Sequence, residues 1–160
     1  MKRSYKEEYQ YWLDSPALGE EEWKELSAIA GDDEEIESRF YAPLEFGTAG
    51  LRGIMATGLN RMNIHVIRWA TQAFAAVIKA EGEEACRKGV VVCYDCRLNS
   101  EKFAREAAGV MAANGIRVRI FDALRPTPEL SFAVLHYGAT AGINITASHN
   151  PKEYNGYKVY

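Results

Sequence analysis

Hydrophobic positions divide the chain into two parts with different patterns. Residues 1–42 carry apolar side chains at helical spacing among many acidic ones, and Tyr5, Tyr9 and Trp12 share one predicted helical face. Asp32 is placed to cap the last of these short helices. The acidic run predicts a solvated helix face, and the alternative is a site for a metal or a basic partner. Residues 1–42 are therefore predicted to form a short, acidic helical extension.

Residues 43–160 alternate apolar runs with amphipathic segments. The run Val90–Tyr94 is continuous and mostly β-branched, which is typical of a buried parallel strand, and residues 118–121 and 142–147 predict further strands. Helical spacing predicts that two intervening helices face inward through Val66, Ile67, Ala70, Phe74, Val77 and Ile78, and through Phe103, Ala107, Val110 and Met111. The alternation predicts an α/β layered domain, with a mostly parallel, mixed sheet between helices. In such a sheet, ligands bind beyond the carboxyl ends of the strands.

Composition excludes several classes of function. The 160 residues are 48% hydrophobic and 26% charged, with 19 basic against 22 acidic residues and a net charge of −3. No basic field is present to bind nucleic acid, and no apolar run is long enough to span a membrane. The N-terminus lacks the apolar core of a signal peptide, so the cytoplasm is the expected location.

The three cysteines, Cys86, Cys93 and Cys96, do not predict a disulfide framework. Cys93 and Cys96 have redox or zinc spacing. However, zinc needs a second pair of ligands, and a redox motif opens a helix, whereas Cys93 falls inside a predicted strand. We interpret these residues as structural thiols.

Candidate chemistry concentrates in residues 146–158. Ser148 follows a predicted buried strand, His149 is its neighbour, and Asn150-Pro151 closes the segment with a turn signal. The pair Asn155-Gly156 predicts a second tight turn, which would bring Lys158 back toward Ser148. A hydroxyl, an imidazole and an amine are therefore expected near one point.

Two other segments carry chemistry at predicted strand ends. Residues 44–55 contain three glycines in a short span, which suits a backbone that approaches an anion, and Arg52 among them has the fork that phosphate favours; a plain turn with a surface arginine is the alternative. Asp95 and Arg97 follow the strand Val90–Tyr94. They can contact substrate, or they can pair with each other and brace their loop.

The residues favour a phosphate carrier over a hydrolase. Side chains that are adjacent on an extended strand point to opposite sides, so His149 is not expected to serve as the base of Ser148, and no Gly-x-Ser-x-Gly elbow is present. A phosphoserine instead needs cations and donors around it. Arg52, His149 and Lys158 supply positive groups, Asn150 supplies an amide, and loop amides near Ser148 can add an anion nest.

Two motifs closely resemble those of the α-D-phosphohexomutases, the phosphoglucomutase/phosphomannomutase family. They are Thr-Ala-Ser-His-Asn-Pro, followed by Tyr-Asn-Gly-Tyr-Lys, and upstream Gly-Thr-Ala-Gly-Leu-Arg-Gly. The resemblance implies that Ser148 is phosphorylated and gives its phosphate to a hexose monophosphate, forming a bound 1,6-bisphosphate. It implies that Lys158 is the general acid and base, and that Arg52 and His149 contact phosphate and substrate, with Thr48 a further candidate. Asn150 is grouped with the phosphate-binding residues.

The same resemblance implies a cofactor and absent partners. Mg²⁺ would contact Ser148 through its phosphate, while the main ligands would come from an Asp-x-Asp-x-Asp loop in a second domain that this sequence lacks. Glucose 1,6-bisphosphate would be the activator and intermediate. Only the first of four family domains is matched, so residues 43–160 are expected to be a phosphoserine-bearing domain I, truncated near Tyr160 and inactive alone. Its partners would be a hexose phosphate and the missing domains.

Three alternatives stay open. The larger phosphoglucomutase and phosphopentomutase-like branch of the family is favoured by two features. These are the motif at residues 46–53 and the N-terminal helices. A standalone module that binds phosphate or sugar phosphates is a second possibility, and a scaffold that has lost activity is a third. Sugar specificity is not predicted, because the family's specificity loops lie outside this sequence.

Overall fold

A computed structural model describes residues 3–48 and 50–160. The chain begins with three short helices, α1 (Tyr5–Leu13), α2 (Glu20–Ala28) and α3 (Asp33–Phe40). It continues through β1 (Leu51–Ile54), α4 (Ile64–Ala80), α5 (Glu83–Lys88), β2 (Val90–Tyr94), α6 (Ser100–Ala113), β3 (Val118–Ile120), α7 (Thr127–His136), β4 (Ala141–Ile145) and β5 (Tyr154–Val159). The predicted N-terminal helices and the alternation of strands and helices after them are confirmed, while the short helix α5 was not predicted.

The five strands form one mixed sheet in the order β1-β5-β4-β2-β3. Strands β3, β2 and β4 are parallel, and β5 runs antiparallel to both β4 and β1. The predicted layered α/β domain with a largely parallel sheet is therefore correct. Because β2 and β4 run in the same direction, the segments that follow Tyr94 and Ile145 emerge at the same edge of the sheet.

Alternating side chains of the strands build a core on each face of the sheet. Val90, Val92, Ile143 and Ile145 belong to the larger core with α4 and α6. On the opposite face, Val91 and Cys93 pack with residues of α7. The sheet is thus covered by helices on both faces, as expected for strands with parallel neighbours.

The N-terminal helices form a separate small core and dock on the sheet domain. The core residues are Tyr9, Leu26, Ile36 and Phe40. Ser4 caps α1 in a capping box with Glu7, and Asp32 caps α3 as predicted. Polar contacts join this layer to residues 57–65 of the sheet domain, including the pair His65–Glu22 at 3.1 Å. None of the described helices is long and apolar enough to cross a bilayer.

The predicted turn at Asn155-Gly156 is wrong, since both residues lie inside β5. Gly156 is required there by close packing: a β-carbon would lie 2.6 Å from the Thr146 carbonyl oxygen and 2.8 Å from that of Leu51. Asn155 is fully buried. The local turn signal was overridden by the fit of β5 between its two neighbours.

One smaller expectation also differs from the structure, and the last strand is paired on both edges. Val77 is 58% exposed, because Thr71 and Ala75 complete the buried stripe of α4 and leave Val77 at its margin. The last strand does not present an unpaired edge: β5 lies between β1 and β4, and Tyr160 exchanges backbone hydrogen bonds with Gly142.

Candidate functional site

Ser148 lies in the loop that joins β4 to β5, which we call the serine loop (residues 146–153). The Asn150 amide donates to the Ala147 carbonyl at 3.1 Å, closing a β-turn with Ser148 at its second position. There Ser148 has φ of 57°, a left-handed conformation that side chains other than glycine rarely adopt. Its amide donates to the Thr146 hydroxyl at 3.0 Å, and the residue is exposed. The turn therefore presents the hydroxyl to solvent at the carboxyl end of β4.

A single guanidinium holds the serine loop from inside. Arg97 donates through Nη2 to the carbonyls of Ser148 (2.8 Å) and Asn150 (2.7 Å). Through Nη1 it donates to the carbonyls of Pro151 (2.9 Å) and Tyr154 (3.1 Å). The Arg97 side chain is only 14% exposed. Of the two roles considered for this residue, the structure supports bracing of the loop.

Asp95 and Asn155 anchor the segment that carries Arg97. Asp95 Oδ1 accepts from the Arg97 amide at 2.9 Å and from the Ser100 hydroxyl at 2.7 Å, and its Oδ2 lies 3.5 Å from Arg97 Nε. Asn155 Nδ2 donates to Ser100 Oγ at 3.0 Å and to the Leu98 carbonyl at 2.9 Å. The ends of β2, β4 and β5 are thereby joined into one polar network.

Arg52 reaches the serine loop from the neighbouring strand β1. It is paired with Gly156 in β5, and Gly156 accepts the Thr146 amide, so the three residues form one row across the sheet. Arg52 Nη1 donates to Asn150 Oδ1 at 3.2 Å, while its buried Nε has no hydrogen-bond partner among the described residues. The predicted phosphate-binding residues Arg52 and Asn150 are therefore in direct contact.

The exclusion of His149 on geometric grounds is wrong. Because Ser148 lies in a turn and not on an extended strand, His149 Nδ1 is 3.3 Å from Ser148 Oγ. The described residues place no carboxylate against the other ring nitrogen to orient it, as a serine-hydrolase triad requires. The histidine thus contacts the hydroxyl without the third group of a triad.

Lys158 is brought toward the site by the hairpin of β4 and β5, since no turn occurs at Asn155-Gly156. It is paired with Asn144, and alternation along β5 puts it on the same face as Gly156 and hence as Arg52. It lies two rows along the sheet from the Thr146–Gly156–Arg52 row, beyond the row of Ile145, Tyr157 and Leu51. Lys158 and Arg52 therefore lie on the same face of the sheet, and Arg52 is in the row nearer to the serine loop.

Thr48 lies in the turn that precedes β1. It is in an exposed turn whose flanking glycines, Gly47 and Gly50, exchange backbone hydrogen bonds of 3.1 and 3.0 Å. A β-carbon on Gly50 would lie 3.0 Å from the Lys158 Cα, so the turn is beside Lys158. Among the described contacts, none joins Thr48 to the serine loop.

Within residues 3–48 and 50–160, no group of three or more histidine, cysteine or carboxylate side chains can hold a metal ion. Cys93 is buried in β2 and donates to the Arg125 carbonyl at 3.2 Å, and burial raises the pKa of its thiol to about 11. Cys93 therefore remains protonated at neutral pH, which fits the interpretation as a structural thiol.

Comparison with known proteins agrees with this geometry. Residues 43–160 match the family description "Phosphoglucomutase/phosphomannomutase, alpha/beta/alpha domain I". The chain belongs to the phosphoglucomutase/phosphomannomutase family. The predicted family resemblance is therefore confirmed, and the matched region includes the serine loop, Arg52 and Arg97.

Individual relatives of the chain are named as mutases. It is 43% identical to human phosphopentomutase over 157 residues, covering 93% of this chain and 26% of that protein. It is 44% identical to a Staphylococcus saprophyticus phosphoglucomutase over 128 residues, covering 80% of this chain and 23% of the relative. The crystal structure of a Thermus thermophilus protein assigned as a phosphomannomutase aligns with a TM-score of 0.66 at 37% identity, covering 74% of this chain and 25% of that one. The chain thus spans about a quarter of the length of these family members.

Sequence reasoning missed two contributors to the loop's shape. Thr146 accepts the Ser148 amide two residues on, a pattern that a threonine before a turn can signal. Asn155 binds the Arg97 segment, but its neighbour Gly156 made the pair resemble a turn. Both residues act on the backbone that positions Ser148.

Proposed function

We propose that Ser148 carries a phosphoryl group and exchanges it with a phosphosugar. The chain would thereby serve a mutase that moves the phosphate of a sugar between its 1-position and its terminal hydroxyl. The single observation that carries the proposal is the exposed Ser148 hydroxyl on a left-handed turn at the carboxyl end of β4. Its loop is held rigidly by Arg97, and a histidine nitrogen lies 3.3 Å from the hydroxyl. Family membership supports the same reaction class.

Each surrounding residue has a part in this proposal. A hydroxyl oxygen of the bound sugar attacks phosphorus, the bond between phosphorus and Ser148 Oγ breaks, and the hydroxyl proton ends on Oγ. Arg52 and His149 stabilise the phosphate charge, and Asn150 orients Arg52 through its 3.2 Å hydrogen bond. Lys158 moves the proton between the substrate hydroxyl and the departing oxygen. Thr48 would contact substrate only from the outer end of the site.

Magnesium is proposed as a cofactor that this chain does not bind by itself. The described residues lack a cluster of metal-ligating side chains, and the carbonyls of the serine loop are engaged by Arg97. The donor set therefore does not fit a complete Mg²⁺ site, which needs several oxygen ligands. A phosphate on Ser148 would be this chain's one contribution to such a site, with the remaining ligands supplied from outside residues 1–160.

The substrate is proposed to be a hexose phosphate, interconverted between its 1-phosphate and 6-phosphate through a bound 1,6-bisphosphate. A pentose phosphate is the second candidate. It is favoured by the relative named phosphopentomutase, whose match extends over 157 residues, against 128 for the phosphoglucomutase. Since the chain covers about a quarter of either relative, we propose that turnover requires further domains and that this chain alone is inactive.

The proposal is tested by phosphosite mapping of this chain supplied with the remaining domains of a relative, after incubation with Mg²⁺ and glucose 1,6-bisphosphate, with ribose 1,5-bisphosphate in a parallel arm. Intact mass should increase by one phosphate, located on Ser148, and the faster donor identifies the sugar class. Ser148→Ala should show no added phosphate, whereas the exposed substitution Ser131→Ala should behave as the parent chain.

A phosphate found on another residue would remove Ser148 from its proposed role. Measurable affinity for sugar phosphates, with no phosphate transferred even when the remaining domains of a relative are supplied, would favour the standalone binding module instead. Net conversion of glucose 1-phosphate by residues 1–160 alone would contradict the proposal that further domains are required.

A further inference from the structure

The serine loop consists of two consecutive β-turns around one guanidinium. The first is closed by Asn150 N–H to Ala147 O, and the second by Tyr154 N–H to Pro151 O, both at 3.1 Å. Arg97 lies inside both turns and binds two carbonyls from each side of the junction, those of Ser148 and Asn150 and those of Pro151 and Tyr154. The guanidinium thus fixes the orientation of four peptide groups.

The orientation of a peptide carbonyl also fixes the amide that follows it. The described peptide bonds are not cis, so each N–H points opposite to the preceding carbonyl. With the carbonyls of Ser148 and Pro151 directed inward at Arg97, the amides of His149 and Lys152 must point outward. Among the described residues, neither amide donates a hydrogen bond. Two free donors therefore face away from Arg97, and one of them belongs to the residue that follows Ser148.

The charge of Arg97 is largely matched by a neighbour. Asp95 Oδ2 lies 3.5 Å from Arg97 Nε, and the guanidinium's other nitrogens are all directed at carbonyl oxygens. The oriented amides would consequently stabilise an anion on Ser148 more than the positive charge of Arg97 would, because Asp95 already balances that charge. Oriented backbone amides of this kind form anion-binding concavities in other loops.

We propose that Arg97 is a positioning residue that shapes the serine loop into a phosphate-binding nest, in which the amides of His149 and Lys152 donate to the phosphate on Ser148. The inference rests on the proposed phosphorylation of Ser148, and it assigns Arg97 a role carried by backbone geometry. It requires no contact between the guanidinium and the phosphate or the sugar.

The test places phosphoserine at position 148 during synthesis, so that it does not depend on any transfer reaction. Nuclear magnetic resonance spectra are compared for two samples of the 160-residue chain, one with serine and one with phosphoserine at position 148. The amide protons of His149 and Lys152 should move downfield on phosphorylation, and each nitrogen should show scalar coupling to phosphorus across the hydrogen bond. Unchanged amide shifts and no coupling in the parent chain would overturn the inference, while leaving phosphate transfer to be decided by mass.

The substitution Arg97→Lys tests whether the serine loop depends on the planar shape of the Arg97 guanidinium or only on its positive charge. Lysine keeps the positive charge but cannot bind four carbonyls in a fixed planar fork. The phosphorus coupling and the downfield shifts should be lost, although the remaining amide spectrum shows a folded domain. Arg105→Lys, which alters an exposed ion pair with Glu101 on α6, should retain both signals. Full retention of coupling in a folded Arg97→Lys chain would show that the nest forms without the guanidinium. If that variant does not fold, the measurement on the parent chain still decides whether the two amides bind the phosphate.

Discussion

Two nearly buried arginines hold two different parts of this molecule, and they use their donors in opposite ways. Arg39 of α3, 11% exposed, binds the carboxylates of Glu25 on α2 and Glu35 on α3 at 2.5 and 2.7 Å, and it reaches the sheet domain through one carbonyl, that of Thr57. Arg97, 14% exposed, binds four carbonyls and approaches one carboxylate. The guanidinium of Arg39 therefore links α2, α3 and the Thr57 carbonyl, whereas the guanidinium of Arg97 fixes the backbone of the serine loop.

The difference lies in what each partner can do when the arginine is lost. Without Arg39, Glu25 keeps hydrogen bonds from Thr57 but no cation, and Glu35 keeps only Arg61 at 3.7 Å, in a partly desolvated junction where the loss of a cation is costly. Carbonyls of an exposed loop can bind water instead, so the backbone is released with a smaller loss of stability. Arg39 should therefore matter most for folding, and Arg97 for the conformation around Ser148.

The largest effect on stability is expected from Arg39→Ala. Its removal leaves Glu25 and Glu35 without their shared cation, and we expect the free energy of unfolding to fall by about 2 kcal/mol, less than for a fully buried pair because both carboxylates are partly exposed. Urea denaturation measures the loss. Arg105→Ala, in an exposed pair, should cost no more than about 0.5 kcal/mol. Equal losses for the two variants would contradict the assignment of Arg39 as the fastening residue.

A smaller, pH-dependent effect should come from Glu25. Burial raises the pKa of Glu25, but hydrogen bonds from Thr57 and Arg39 outweigh it and hold the pKa below the ordinary value of 4.5. A carboxyl whose pKa is lowered by folding stabilises the folded state above its unfolded pKa, and this contribution is lost as the pH falls through the folded pKa. The stability difference between the parent chain and Glu25→Gln should therefore shrink below about pH 4.5.

Denaturation at a series of pH values from neutral to acid measures this dependence. Glu101→Gln, which alters an exposed pair within α6, serves as the matched substitution at the surface. A difference between parent and Glu25→Gln that stays constant down to acid pH would mean that the junction does not depend on the ionised carboxyl.

The sequence predicts the helices and strands of the molecule better than the conformation of the serine loop. The strand at Val90–Tyr94 and the serine at the end of β4 follow from local pattern and motif, and both are confirmed. The four contacts of Arg97 join residues 51 to 57 positions apart, and nothing in the local pattern specifies them. The errors at Asn155-Gly156 and at His149 have one cause: each was read from local geometry, a turn in one case and an extended strand in the other, where the packing of neighbouring strands and a left-handed residue decide.

The smallest effect isolates the strain at Ser148 itself. A residue with a β-carbon costs roughly 1–2 kcal/mol in the left-handed region, and glycine removes that cost but loses more backbone entropy on folding. Ser148→Gly should therefore raise the free energy of unfolding by about 0.5 kcal/mol, while removing the hydroxyl proposed to carry phosphate. Ser148→Ala keeps the β-carbon and should show no gain, so the difference between the two variants in urea denaturation measures the strain that glycine relieves less the extra backbone entropy that glycine loses. If glycine were no more stable than alanine, the strain at Ser148 would not exceed the backbone entropy that glycine loses, and the left-handed conformation would cost the fold less than proposed.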